Sequence, residues 1–201
     1  MEMQDTLLFN RPSINEVKTE RLKSLTARVA RATDDELADA DFAERLVKEN
    51  DLPVPTVKES EIKTSSSESQ VWASHGEVFG RDIPEGSLIP AKFAHYHVPY
   101  EGDGRQFQYQ PTTCRLGMPQ AQIAESELVL TYRSDGRKAA DVKMQFEGDL
   151  ENIRINLTAL ESDCADFKST LQDEVRRAAA AEAQRRANDS AFMDGLGYER
   201  K

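Results

Sequence analysis

Apolar residues recur at steps of three and four over a long stretch near the C-terminus. Leu150, Ile153, Leu157, Leu160, Cys164, Phe167 and Leu171 form one stripe. That spacing predicts an amphipathic helix with a single apolar face. It starts at Asp149, the natural N-cap, and continues to about Met193. A shorter stripe of Ile14, Val17, Leu22, Leu25 and Val29 predicts a first helix capped by Ser13. Thr33 with Glu36, and Asp41 with Glu44, have the spacing of capping boxes. The second of these precedes Phe42, Leu46 and Val47 in a helix ending near Asn50, where the prolines of Asp51-Leu-Pro-Val-Pro55 stop it.

Between these helices the period changes from 3.6 to 2. Leu88 to Val98 is a strand candidate, and Pro90 assigns it to an edge or a bulge. Phe107 and Tyr109 alternate with Gln106, Gln108 and Gln110, and Ala121 and Ile123 with Gln120 and Gln122. Leu128, Leu130 and Tyr132 alternate with Glu127, Thr131 and Arg133, and Val142, Met144 and Phe146 with Asp141, Lys143 and Gln145. Ser134-Asp-Gly-Arg137 supplies a hairpin signal between the last two runs. The pattern predicts an antiparallel meander with one buried face and a glutamine-rich wet face.

The expected fold is α+β: N-terminal helices, an antiparallel meander sheet and a long C-terminal amphipathic helix across it. Residues 1–12 are expected as an extended or mobile start, 13–55 as a helical segment and 56–70 as a serine-rich linker. Residues 71–174 hold the sheet and the first half of the long helix, and 175–201 a projecting helix and tail. Trp72, Val78 and Phe79 are expected as partly buried anchors beside turns at Gly76 and Gly80. An unbroken helix from 149 to 193 would run about 65 Å at 1.5 Å per residue. A compact 200-residue domain spans only about 40–45 Å. The second half must therefore overhang, or break and fold back.

Charge narrows the function classes. The 201 residues carry a net charge of -10, so the chain as a whole does not suit a polyanion, and no direct nucleic-acid partner is expected. No basic leader and no long apolar window occurs, which predicts neither a signal peptide nor a membrane span. Two lone cysteines, Cys114 and Cys164, fit a reduced, cytoplasmic protein.

Candidate chemistry is sparse. His95 and His97 flank Tyr96 on one strand, so they share a face and are the weak candidates for metal ligands. A third ligand would have to come from His75, Glu101, Asp103 or Cys114; the alternative is a polar pair on a strand. Cys114, between Thr113 and Arg115, lacks any catalytic signature, and Cys164 lies on the apolar stripe as a small core residue. Glu101 and Asp103 lie in a glycine turn whose glycines are explained by the bend itself, and no phosphate-loop frame is present. Arg176, Arg177, Arg185 and Arg186 form a basic cluster on the distal helix. Val175, Phe192, Met193, Leu196 and Tyr198 add apolar positions along it and in its tail.

Residues 97–123, HVPYEGDGRQFQYQPTTCRLGMPQAQI, together with the following long helix and the terminal Gly-Leu-Gly-Tyr, resemble a recurrent bacterial module. In that family a Val-Pro-aromatic-x-Gly-Asp turn precedes an aromatic strand, a Pro-Ser/Thr step and a second proline. The family forms N-terminal parts of multidomain proteins, some of them tied to defence against phage, and is typically followed by an effector domain. The resemblance covers about the last 130 residues and carries no catalytic residue. Here the chain stops just after Leu196-Gly197, so the effector it implies is a separate polypeptide.

The expectation is a non-enzymatic interaction or regulatory module without a cofactor. It engages another protein or a second copy, coiled-coil fashion, through the C-terminal helix. The alternatives are a metal-dependent enzyme or metal-binding protein using His95 and His97, and a ligand sensor using the glutamine-rich face.

Overall fold

A computed structural model describes residues 5–73, 87–114 and 117–196. It is an α+β fold. Strands β1 (Thr6–Leu7), β2 (Thr56–Val57), β3 (Lys63–Trp72), β4 (Leu88–Glu101), β5 (Gln120–Ile123) and β6 (Glu127–Arg133) form one antiparallel sheet in the order β1-β5-β6-β4-β2. β3 follows β2 along the same edge of β4. The helices are α1 (Ile14–Ala30), α2 (Asp34–Ala38), α3 (Phe42–Asn50), α4 (Ala139–Cys164) and α5 (Phe167–Gly195).

The first helices follow their start signals. Ser13 and Glu16 close a capping box on α1, and Thr33 and Glu36 close one on α2. Asp41 departs from expectation: it is already in helical geometry and makes no side-chain cap. Its backbone amide donates instead to Asp39, 2.9 Å away.

From residue 5 onward the start of the chain is extended and paired rather than mobile. Thr6 and Leu7 pair with Ala121 and Gln120, and Leu8 and Phe9 are fully buried. The serine-rich stretch is not a linker either. After a 3-10 turn at Glu59–Glu61 it becomes β3, ten residues paired without a bulge from Lys63–His97 to Trp72–Leu88. Its side chains are almost all exposed, so no apolar alternation marks it as a strand.

β4 is central, not an edge, because β6 pairs its other side over Phe93–Pro99. The ladder's phase accommodates Pro90. The amide of Ser134 donates to Lys92 at 2.7 Å and that of Tyr100 to Ser126 at 2.9 Å, so even-numbered β4 residues bond toward β6. β6 pairing stops at Phe93, so the donor that Pro90 lacks has no partner to lose.

Two further strand expectations are helical. Phe107 lies in a 3-10 turn, Gly104–Gln108, which Tyr109 terminates. Val142, Met144 and Phe146 lie in α4, so Ser134–Arg137 leads into a helix rather than closing a hairpin. Asp149 is accordingly not a cap. It sits inside α4 and accepts the Tyr132 hydroxyl at 2.8 Å. Burial, and then that carboxylate, push the Tyr132 phenol far above its ordinary pKa.

α4 covers the even-numbered face of β4. The Phe146 ring stacks on Tyr96 with centroids 3.8 Å apart and meets Tyr132 edge-on. Of the two outcomes that its length allowed, the long helix takes the break, at Ala165–Asp166. The Asp166 carbonyl starts the second helix, accepting the Thr170 amide at 3.1 Å together with the Ser169 and Thr170 hydroxyls. α5 then lies along α1 and α3, not along the strands. Leu171 and Val175 are buried there.

Candidate functional site

Two places combine functional groups or exposed apolar groups: the odd-numbered face of the β3–β4–β6 sheet, and the distal half of α5.

On the sheet, His95 and His97 share a face as the strand spacing requires. Each imidazole bridges three strands. Ser65 Oγ lies 2.8 Å from His97 Nε2, and His97 Nδ1 lies 3.2 Å from Glu127 Oε1. One rung along, Ser67 Oγ lies 2.7 Å from His95 Nε2 and His95 Nδ1 3.0 Å from Thr131 Oγ1. The first row has the order hydroxyl, imidazole, carboxylate found in activated-serine sites. The second repeats the diagonal to β3, but on β6 its partner is Thr131, directly opposite His95, whereas His97 reaches diagonally to Glu127. Polar partners on both flanking strands at two successive rungs are the geometry of a cross-strand staple. Among the described residues no group of three or more histidine, cysteine, aspartate or glutamate side chains is placed to hold a metal. His75 lies outside the described residues.

The other expected ligands are dispersed. Glu101 pairs with Lys58. Asp103 accepts the Arg105 amide at 3.0 Å and its guanidinium at 2.7 Å, and this guanidinium holds the Asp103 carboxyl below the usual range. The glycine turn is structural. A Cβ on Gly104 would stand 2.1 Å from the Tyr100 hydroxyl oxygen, and Gly102 takes a left-handed φ of 110° against Pro55. Cys114 is half-buried, and Arg115 lies outside the described residues. Cys164 packs against the core, and burial raises its thiol pKa. The glutamine-rich face does not form. Gln106 is buried in the 3-10 turn, and Gln145 on α4 accepts from Arg137 at 3.0 Å.

On α5 the basic cluster is mostly engaged within the chain. Arg176 pairs with Asp173 at 3.2 Å, Arg177 with Glu174 at 2.6 Å, and Arg185 with Glu182 and Asp189, each at 2.7 Å. Arg186 binds Glu182 at 2.7 Å, the Asp34 carboxylate, and the Ala32 carbonyl at 2.5 Å. It thereby ties α5 to the α1–α2 junction, so this part of the helix is docked rather than projecting. Val175 is core and not a free contact. It lies with Arg176, Val47, Lys48 and Lys168 at a groove of about 570 Å³ between α3 and α5.

Glu182 is the keystone of this docking. Its hydrogen bonds to Arg185 and Arg186 pull its carboxyl pKa from 4.5 down to about 2. A depressed folded pKa gives stability that is present above the unfolded value and lost as pH falls through the folded one. The thermal midpoint of the native chain is therefore expected to fall more steeply between about pH 4.5 and 2 than that of Glu182→Gln. Parallel melting curves across that range test it, and identical slopes would refute the role.

Beyond Arg186, every described residue of α5 except Ser190 is exposed. Phe192, Met193 and Leu196 are 69%, 44% and 50% exposed. Tyr198 lies outside the described residues. A second exposed apolar pair escapes the sequence reading. Trp72, expected as a partly buried anchor, is 69% exposed opposite Leu88 at 49%, where β3 and β4 run past the end of β6. Val78, Phe79, Gly76 and Gly80 lie outside the described residues. No helix among the described residues is long and apolar enough to cross a membrane. No protein family matches this chain, and no curated protein or solved structure matches it either.

Proposed function

We propose that this protein is an interaction module that inserts the end of α5 into an apolar groove on a protein partner. The observation that carries this is the position of Phe192, Met193 and Leu196. They are exposed at the end of a helix whose preceding turn is anchored by Arg186. Their i, i+1, i+4 spacing puts them on one side of the helix, the arrangement by which helices dock in grooves.

Area argues for a groove rather than a flat contact. Three side chains fall well short of the ~800 Å² per partner of a standard interface. A partner that wraps the helix supplies the remaining contact. The sequence resemblance implies the kind of partner, an effector domain. The sheet histidines supply rigidity to the body that carries the helix.

Replacing Phe192, Met193 and Leu196 together by alanine is expected to abolish partner capture. Each exposed site is expected to change stability by no more than about 0.5 kcal/mol. Affinity capture from the native source, run side by side with the native chain and the triple variant, tests this. A stoichiometric partner lost only in the variant supports the reading. An identical set of captured proteins sinks it.

A further inference from the structure

We propose that β3 is the contact strand of a two-fold dimer, in which a second copy of this chain pairs antiparallel with it and continues the sheet. This does not depend on the reading of α5.

Among the described residues, no strand pairs the outer edge of β3 from Lys63 to Trp72. Ten regular residues without bulge or proline form an unusually long open edge. The ladder's phase shows which groups are open. The Ala73 amide donates to Ser87 at 2.9 Å, so odd-numbered residues of this ladder bond inward to β4. Thr64, Ser66, Glu68 and Gln70 therefore turn their amides and carbonyls outward. The inner side is fixed as well by the hydroxyls of Ser65 and Ser67 on His97 and His95. The edge is thus held straight, with small side chains that let another strand approach.

Symmetry and charge select the occupant. A two-fold axis along the sheet normal keeps odd residues on one face and even residues on the other. An axis at Ser66 sets Ser66 against its own copy and Thr64 against Glu68 twice. These are three outward-facing residue pairs, each able to exchange two backbone hydrogen bonds. β3 carries only two charges, Lys63 and Glu68. This register sets Lys63 opposite Ser69, whereas an axis at Glu68 would oppose two carboxylates. The assembly closes as a dimer, because the far edge of the sheet is β1, only two residues long and a poor template for head-to-tail growth.

The test is Ser66→Pro. Proline there removes one outward donor and no inward bond, as Pro90 does on β4, so the monomer fold is kept. Ser66→Ala keeps the donor and serves as the control. Light scattering after size exclusion, over micromolar to sub-millimolar concentrations, is expected to show dimers for the native chain and Ser66→Ala. Ser66→Pro is expected to be monomeric with an unchanged circular dichroism spectrum. Amide exchange adds a second readout: the Thr64, Ser66 and Glu68 amides gain protection with concentration, while the inward amides stay protected throughout. A native chain that remains monomeric, or a Ser66→Pro chain that dimerises as tightly as native, overturns the proposal. The α5 triple variant is expected to dimerise normally, which separates this interface from partner capture.

Discussion

Phe9→Ala is expected to destabilise the fold by about 3–5 kcal/mol, the usual cost of emptying a buried aromatic site. Phe9 is fully buried, and its ring meets Phe107 edge-on at 6.2 Å between centroids. Its amide donates to the Phe107 carbonyl at 2.7 Å, and Leu8 donates to Pro119 at 2.9 Å. The N-terminal residues thus hold both the 3-10 turn and the approach to β5. Phe9 also has a left-handed φ of 55°, costly for any residue with a Cβ. Phe9→Gly loses the same ring but escapes that strain, so it is expected to be no worse than alanine. Urea unfolding of both variants is the measurement. A change within about 0.5 kcal/mol for Phe9→Ala, as at an unimportant surface site, would show the segment to be detached.

The sequence misreads this region for a physical reason. Leu8 and Phe9 are adjacent, and both are buried because the chain turns through a left-handed residue between β1 and α1. A turn of that kind has no period. β3 fails differently: its side chains are polar on both faces, and pairing with β4 alone makes it a strand. Where one face is buried and the element regular, the pattern is sufficient. β6 alternates as expected, with Leu128, Leu130 and Tyr132 inward. Ser13 and Thr33 cap as their spacing predicts.

The position of the helix break was hidden by the very stripe that revealed the helices. Leu160, Cys164, Phe167 and Leu171 keep their steps across Ala165–Asp166, although α4 faces the sheet and α5 faces α1 and α3. Periodicity reports that a face is buried and is silent on what buries it. At the candidate sites, the exposed apolar positions Phe192, Met193 and Leu196 were visible as residue types. The anchoring of Arg186 to Asp34 and Ala32 was not, because it joins positions far apart in the chain. The histidine rows were half legible: the shared face follows from spacing, but their partners on β3 and β6 depend on register.

Phe146→Ala and Met144→Lys are expected to differ sharply, and the contrast decides between helix and strand for residues 142–146. In a strand, Val142, Met144 and Phe146 share one face and all three are core. In α4, Val142 and Phe146 are one turn apart and buried, whereas Met144 points away and is 69% exposed. Phe146 is 5% exposed, stacked on Tyr96 at 3.8 Å and set edge-on to Tyr132 at 6.5 Å. Removing its ring opens a cavity between α4 and the sheet and is expected to cost about 3–5 kcal/mol. Met144→Lys puts a charge where water already reaches and keeps a good helix former, so a change within about 0.5 kcal/mol is expected. Denaturant unfolding of the two variants reads both values. A Met144→Lys penalty comparable to that of Phe146→Ala would mean that position 144 faces the core, and the helical assignment of this segment would fail.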